Sequence, residues 1–194
     1  MARPKEFDPD EALAAAMEKF WERGYEATSL ADITACTGVQ KASLYATYGD
    51  KRTLFVTALA RYQVEGRDRL RTALNGSGSV RAAIEAVLTS AVKDASAKER
   101  GRGCLCVNTA IEIGARDPEI AAMLASHSRE AEALFEQALD RGKVRGEFAA
   151  RLDSATTGRF LLCTLYGLHV GGKGGMSGKK LKDVVGAALA ILAP

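Results

Sequence analysis

Residues 28–51 read TSLADITACTGVQKASLYATYGDK, and the fold follows from how this stretch divides. Thr28 and Ser29 are residue types that cap a helix start, and Leu30, Ala31 and Ile33 supply an inward face running to about Thr37. Gly38 then permits a sharp reversal. A second short helix is expected over about residues 40–47, anchored on the first by Val39 and Leu44, with Gly49 ending it and Asp50 capping the next. Two short helices separated by a glycine turn have the spacing of a helix-turn-helix. With Leu44 held inward, Lys41, Ala42, Ser43 and Tyr45 point outward from the amino-terminal part of a helix able to enter the major groove of DNA.

The same punctuation continues on both sides. Asp8 before Pro9, with Glu11 three residues after the Asp, starts a helix over about residues 9–23, whose face Leu13, Ala16, Met17, Phe20 and Trp21 runs until Gly24 stops it. Downstream, helices are expected at about 51–74, 80–96, 104–115, 118–146, 153–171 and 178–192, with a loop at 75–79 (NGSGS). Asp117 before Pro118 repeats the start signal. Strand-like alternation is absent, so the fold class is all-α. A three-helix helix-turn-helix DNA-binding domain is expected over residues 1–52, followed by a larger helical ligand-sensing and dimerisation domain over 53–194.

Composition narrows the classes. At 194 residues and 47% hydrophobic, the chain has ample core material. Its amino terminus is polar, and no run reaches the roughly 18 apolar residues of a membrane span, so no membrane partner is expected and the protein is read as cytoplasmic. Cys36, Cys104, Cys106 and Cys163 have no zinc-site spacing with His127 or His169, so neither a metal nor a cofactor is expected, and the thiols should be free in a reducing compartment. The net charge of +3 hints at nucleic acid only weakly, because residues 1–55 hold seven Lys or Arg against nine Asp or Glu. DNA binding must rest on local placement. The stretch 171–180 (GGKGGMSGKK) lacks the first glycine of a phosphate loop and has Lys180 where that motif needs Ser or Thr, and it reads as a mobile cationic connector.

Within residues 8–55, the run GVQKASLYATYGDKRTLF resembles the DNA-binding domain of the TetR family of transcriptional regulators. The resemblance implies phosphate contacts from Thr28, Ser29 and Lys51, and from Tyr48 by packing on the DNA backbone or by its hydroxyl. It implies base reading by Lys41 at guanine, Ala42 at a thymine methyl, and by Ser43 and Tyr45. Gln40 either caps its helix or touches an adenine, and Arg52 reads as a solvated charge. The family further implies a homodimer on a palindromic double-stranded operator, most simply a repressor released by a small-molecule effector. Its last two helices would pair with their twins through Phe160, Cys163, Leu165 and Gly167 and through Leu181, Val184, Val185, Ala188 and Leu192.

For the effector, polar residues in apolar stretches are the candidates: Asn108, Glu112, His127, Tyr166 and His169. Cys104 opens a helix behind Arg100 and Arg102, where the helix start and the cations favour a thiolate. Some TetR relatives show a similar Gly-Cys-Leu run, and a subset senses reactive compounds with that cysteine. Cys104 is thus expected to be the most reactive thiol, with Cys36 and Cys163 shielded and Cys106 on another helix face. Two other readings stay open: a cysteine-dependent enzyme pairing Cys104 with His127 or His169, and a helical protein-interaction adaptor. An enzyme has no use for residues 28–51, and an adaptor would show no DNA binding together with stable hetero-complexes.

Overall fold

Asp8 accepts hydrogen bonds from the backbone N–H groups of Asp10 (2.8 Å) and Glu11 (3.4 Å), and with Pro9 in the first turn this starts α1 (Pro9–Arg23). The computed structural model that shows this describes residues 7–76, 78–96 and 102–192. Expectations for residue 77 and for Arg100 beside Cys104 lie outside the described residues. Gly24 ends α1 at φ +83°, its N–H returning to the Phe20 carbonyl at 2.8 Å. Helix α2 (Leu30–Thr37) opens on a reciprocal cap, in which the Ser29 hydroxyl accepts from the Asp32 N–H (3.1 Å) while Asp32 accepts from the Ser29 N–H (2.8 Å). Gly38, left-handed at φ +68°, turns the chain into α3 (Lys41–Tyr48), and Asp50 caps α4 (Lys51–Leu74) through the Thr53 N–H at 2.7 Å.

The remaining helices are α5 (Val80–Ser96), α6 (Leu105–Thr109), α7 (Pro118–Val144), α8 (Ser154–Lys173) and α9 (Gly178–Ala190). No strand occurs among the described residues. Two differences from expectation bear on function. The helix expected over 104–115 widens after Thr109 into a π-helical turn, Ala110–Gly114. The glycine-rich connector is short, because α8 continues through buried Gly172 to Lys173 and α9 starts at Gly178.

Side chains pack into two cores. One joins Phe20, Ile33, Leu44 and the first half of α4 (Leu54, Phe55, Leu59, Tyr62) to Cys104, Leu105, Cys106, Ile113 and Ile120. The other joins α5, α7, α8 and α9 around Leu88, Phe135, Leu139, Leu161 and Leu181. Each fully buried Leu or Phe contributes about 1.5–3 kcal/mol of burial, so both cores hold their helices firmly.

Here α9 corrects the expectation for the pairing surface. Leu181, Val185, Ala188 and Leu192 are buried within the subunit, and Leu165 also packs on this core. The exposed apolar strip is instead Phe160, Cys163, Gly167 and Val170 on α8, with Val184 on α9 and Ile191 just after it. Both faces of α9 carry apolar residues, and the better-populated one goes to the subunit's own core.

Candidate functional site

Helix α3 buries Leu44 alone, so its other residues are left to the surface or half-covered. Gln40, Lys41 and Ala42 are exposed, while Ser43 and Tyr45 are half-buried, and the Lys41 ammonium lies 5.4 Å from the Tyr45 ring centre. Gln40 makes no side-chain cap bond, so of its two alternatives capping is not taken. The helix start thus offers unpaired N–H groups beside a cation, an arrangement that attracts phosphate.

The flanking residues divide. Ser29 and Lys51 stand at the starts of α2 and α4, where helix dipoles favour an anion. Lys51 is steadied by the Tyr25 ring (4.5 Å) and the Glu26 carbonyl (3.5 Å). Thr28 departs from expectation, because its side chain is fully buried and its hydroxyl donates to the Gly24 carbonyl at 2.6 Å. It fixes the α1–α2 turn and has no face for a phosphate. The Tyr48 hydroxyl donates to the Pro9 carbonyl at 2.5 Å, so its proton is already committed within the protein and its ring edge is what remains for a DNA backbone.

Three connections that sequence reading missed tie this module to the rest of the chain. Arg52 is no solvated charge: it grips Asp117 with two nitrogens (3.0 and 2.8 Å) and Glu119 with one (2.8 Å), joining the start of α4 to the start of α7. These bonds hold the Asp117 carboxyl below its ordinary range. Glu112, expected to face a ligand, instead accepts the N–H groups of Tyr25 (3.0 Å) and Glu26 (2.8 Å), and so caps the turn between α1 and α2 from the π-helical segment. The Trp21 indole donates to the Gly103 carbonyl (3.0 Å), the Arg102 guanidinium lies 4.9 Å from the Trp21 ring, and Arg102 pairs with Glu18. Asn108 is likewise structural, donating to the Arg102 carbonyl (2.6 Å) and accepting from Lys173 (3.0 Å). With Glu22, Arg23, Lys173 and Val170 it lines a cleft of about 470 Å³ between module and body.

Behind these connections lies the thiol site. Cys104 stands at the N-cap of α6 in an extended conformation and is only 8% exposed; Cys106, the second residue of the helix, is 4% exposed. Both lie in the core that joins α1 to α4. The Tyr62 hydroxyl donates to Cys104 Sγ at 3.7 Å. Chiefly through the neighbouring Cys106 thiol, and against burial, the Cys104 thiol is held below its usual range while the Cys106 thiol is pushed up by Cys104 and by burial. His169, His127 and Tyr166 all lie within electrostatic reach of Cys104. The Tyr166 hydroxyl is 3.1 Å from the Ser128 hydroxyl, and His127 keeps a buried Nδ1 without a partner. Of the six candidate sensing residues, the structure gathers Cys104, His127, Tyr166 and His169 and sends Asn108 and Glu112 to the module boundary. Cys36 is half-buried, whereas Cys163 is exposed, contrary to expectation.

Among the described residues, no helix is long and apolar enough to cross a membrane and no trio of His, Cys, Asp or Glu is arranged to hold a metal.

Residues 12–58 match the family described as bacterial regulatory proteins, tetR family, and residues 80–174 match a tetracyclin repressor-like C-terminal domain. The chain is 36% identical over 194 residues to the "Uncharacterized HTH-type transcriptional regulator YezE" of Bacillus subtilis (strain 168), covering 99% of this chain and 100% of that one. It is 32% identical over 190 residues to the "HTH-type transcriptional repressor ComR" of Escherichia coli (strain K12), covering 97% and 90%. Among solved structures it is similar to a cysteine mutant of the TetR family transcriptional regulator CifR complexed with 26bp double-strand operator DNA, at a TM-score of 0.85 and 35% identity, covering 98% of this chain and 100% of that one.

Proposed function

This chain belongs to the tetR family of bacterial regulatory proteins, and from that premise we propose that it is a cytoplasmic, homodimeric repressor that holds a palindromic operator with two copies of α3 and leaves it when a small electrophile bonds to Cys104. The observation that carries the reading is the outward row Lys41, Ala42, Ser43 and Tyr45 on a helix pinned by one buried leucine. Lys41 donates to guanine acceptors, Ala42 and the Tyr45 ring meet thymine methyls, and Ser29 with Lys51 fixes the register on phosphates. The exposed strip on α8 and α9 supplies the dimer contact, since an apolar surface of that kind is covered in a stable protein. The relative that is named a repressor and the one solved with operator DNA support the direction of control and the ligand.

Release needs an effector that favours the conformation unable to bind DNA. An adduct on Cys104 adds volume in a packed core, and that core is shared with α1 and α4. Displacement of α6 pulls on Glu112 and on the Gly103 carbonyl, and therefore on the turn and helix that position α2 and α3. A cysteine-dependent enzyme would pair Cys104 with a histidine; here the side-chain hydrogen bond to its Sγ comes from Tyr62.

Binding sites selected from random duplexes test the proposal. Lys41→Ala and Tyr45→Ala should each relax one operator position by about 1–3 kcal/mol, and Lys51→Ala should weaken all sequences alike and flatten the salt slope. An unchanged preferred site in both α3 variants moves the reading surface elsewhere. N-ethylmaleimide should release the native protein from DNA and spare Cys104→Ser; equal release of both removes Cys104 from the mechanism.

A further inference from the structure

We propose that Arg52 is a positioning residue for operator binding, which holds the start of α4 on the start of α7 and so sets where α3 and Lys51 stand on DNA. This role rests on the reading of α3 as the helix that meets the operator. The grip is directional. Arg52 Nε donates to Asp117 Oδ2 at 3.0 Å and Nη2 to Asp117 Oδ1 at 3.0 Å, and Nη2 also reaches Glu119 Oε2 at 2.8 Å. A planar guanidinium held by two parallel bonds has a fixed orientation as well as a fixed distance. With Arg52 40% and Asp117 24% exposed, solvent screens the pair and its contribution to overall stability is small. Its effect on position is therefore separable from folding.

The start of α4 is the place where such a grip matters. Farther along the same two helices, Gln63 donates to the Met123 carbonyl at 3.5 Å and Arg67 pairs with Glu130, but Arg52 holds the end next to the reading helix. Only Gly49 and Asp50 separate α3 from α4, and Leu44 and Leu54 are buried in one core, so α3 follows the start of α4. Lys51, placed on a phosphate above, is the residue before Arg52. The 24 residues of α4 make a rod about 36 Å long, and a tilt of about 5° about its far end moves its start by about 3 Å. That is the length of a hydrogen bond, enough to take α3 and Lys51 off their partners.

A direct phosphate contact by Arg52 is the rival role, and the charges oppose it. One guanidinium faces two carboxylates, so the cluster carries net negative charge and repels an anion. The two roles predict opposite signs when the carboxylates are neutralised. Positioning predicts weaker DNA binding, whereas a phosphate contact predicts stronger binding, since Arg52 is released and two repelling charges are gone.

The test is the full-length double variant Asp117→Asn with Glu119→Gln. Asp117 also caps α7 through the N–H groups of Glu119 (3.1 Å) and Ile120 (3.2 Å), and Asn keeps that cap. Affinity for the site that the native protein selects from random duplexes should fall about tenfold, as the binding-competent fraction of the free protein falls. The bound state is unchanged, so the preferred site and the slope of affinity against salt should stay native, and the urea midpoint should move little. Arg52→Gln should lose as much, and Arg52→Lys, which keeps the charge without the fork, should recover only part of it. Should the double variant unfold, Glu119→Gln alone, on a side chain 60% exposed, should give the same signs at about threefold. Higher affinity or a steeper salt slope makes Arg52 a phosphate contact and overturns the proposal. Native affinity in the folded double variant makes the grip structural only and overturns it equally. In both cases the operator reading stands; native protein that selects no site removes that reading itself.

Discussion

The two cores differ in where the chain finds them. The core of α5, α7, α8 and α9 draws all its buried members from residues 74–192, whereas the amino-terminal core takes residues 12–62 and completes itself with residues 104–120. The thiols that are the candidate sensor therefore sit among the packing partners of Phe20 and Phe55, and outside the core of the carboxy-terminal bundle. Under the proposed function, coupling between Cys104 and α3 would be a matter of packing inside one core, with no need for a long relay.

The sharpest way to break this division is to open each core separately. Phe55 is fully buried against Phe20 (5.0 Å between ring centres) and Tyr25 (4.9 Å), and Phe135 is fully buried in the other core. Either residue changed to Ala should cost about 3–5 kcal/mol in urea unfolding. Only Phe55→Ala should also speed alkylation of Cys104 under native conditions; matching acceleration in Phe135→Ala means the cores open as one.

The bundle core also carries an exposed apolar strip along α8 and α9. Phe160→Glu, on a side chain 43% exposed, should leave the subunit folded, give monomers in sedimentation, and lose about a hundredfold or more in operator affinity as two reading heads become one. Val185→Glu, by contrast, puts a charge in the subunit core and should fail to fold. A folded Phe160→Glu dimer would falsify the assignment of the strip.

A smaller effect is expected where residues 104–120 meet the DNA-binding module. Glu112→Ala removes the acceptor of two backbone N–H groups and should weaken the α1–α2 turn by about 1.5–3 kcal/mol, as seen in faster amide exchange at Tyr25 and Glu26. Unaltered exchange there would mean that the carboxylate is dispensable to the turn.

The smallest effect is on pH. Burial lowers the His127 pKa, with Cys104 and Glu130 acting to raise it and Arg67 to lower it further. The unfolded chain therefore takes up a proton at about pH 6.5 while the folded one resists, so stability is lost as pH falls below that value and is fully present above it. His127→Phe should flatten this part of the stability profile; a slope that survives the substitution belongs to other groups.

The legible parts of this molecule were the local ones. Asp8-Pro9, Ser29 with Asp32, and Asp50 each act within three residues, so the starts of α1, α2 and α4 could be read to the residue or nearly so, and the outward row of α3 followed from Leu44 alone. What the sequence concealed depends on contacts between distant residues. Arg52 finds Asp117, 65 positions away, and Glu112 finds Tyr25, 87 positions away, and nothing in their neighbourhoods distinguishes them from solvated charges. Thr28 looked like a second capping residue until the turn buried it. On α9 two apolar faces compete, and periodicity cannot say which one the subunit keeps.

An added Cβ at Gly24 would lie 2.8 Å from the Glu112 carboxylate, on a backbone at φ +83° that other residues rarely adopt. For a geneticist this makes the position a hotspot. If the chain is the dimeric repressor proposed above, a screen for constitutive expression of the controlled gene should recover alleles at Gly24 that mimic permanent induction: the protein should accumulate and dimerise with its reading heads no longer set. Such alleles would behave as though the effector were always present, and a compensating change at Glu112 to a smaller residue is the suppressor to look for.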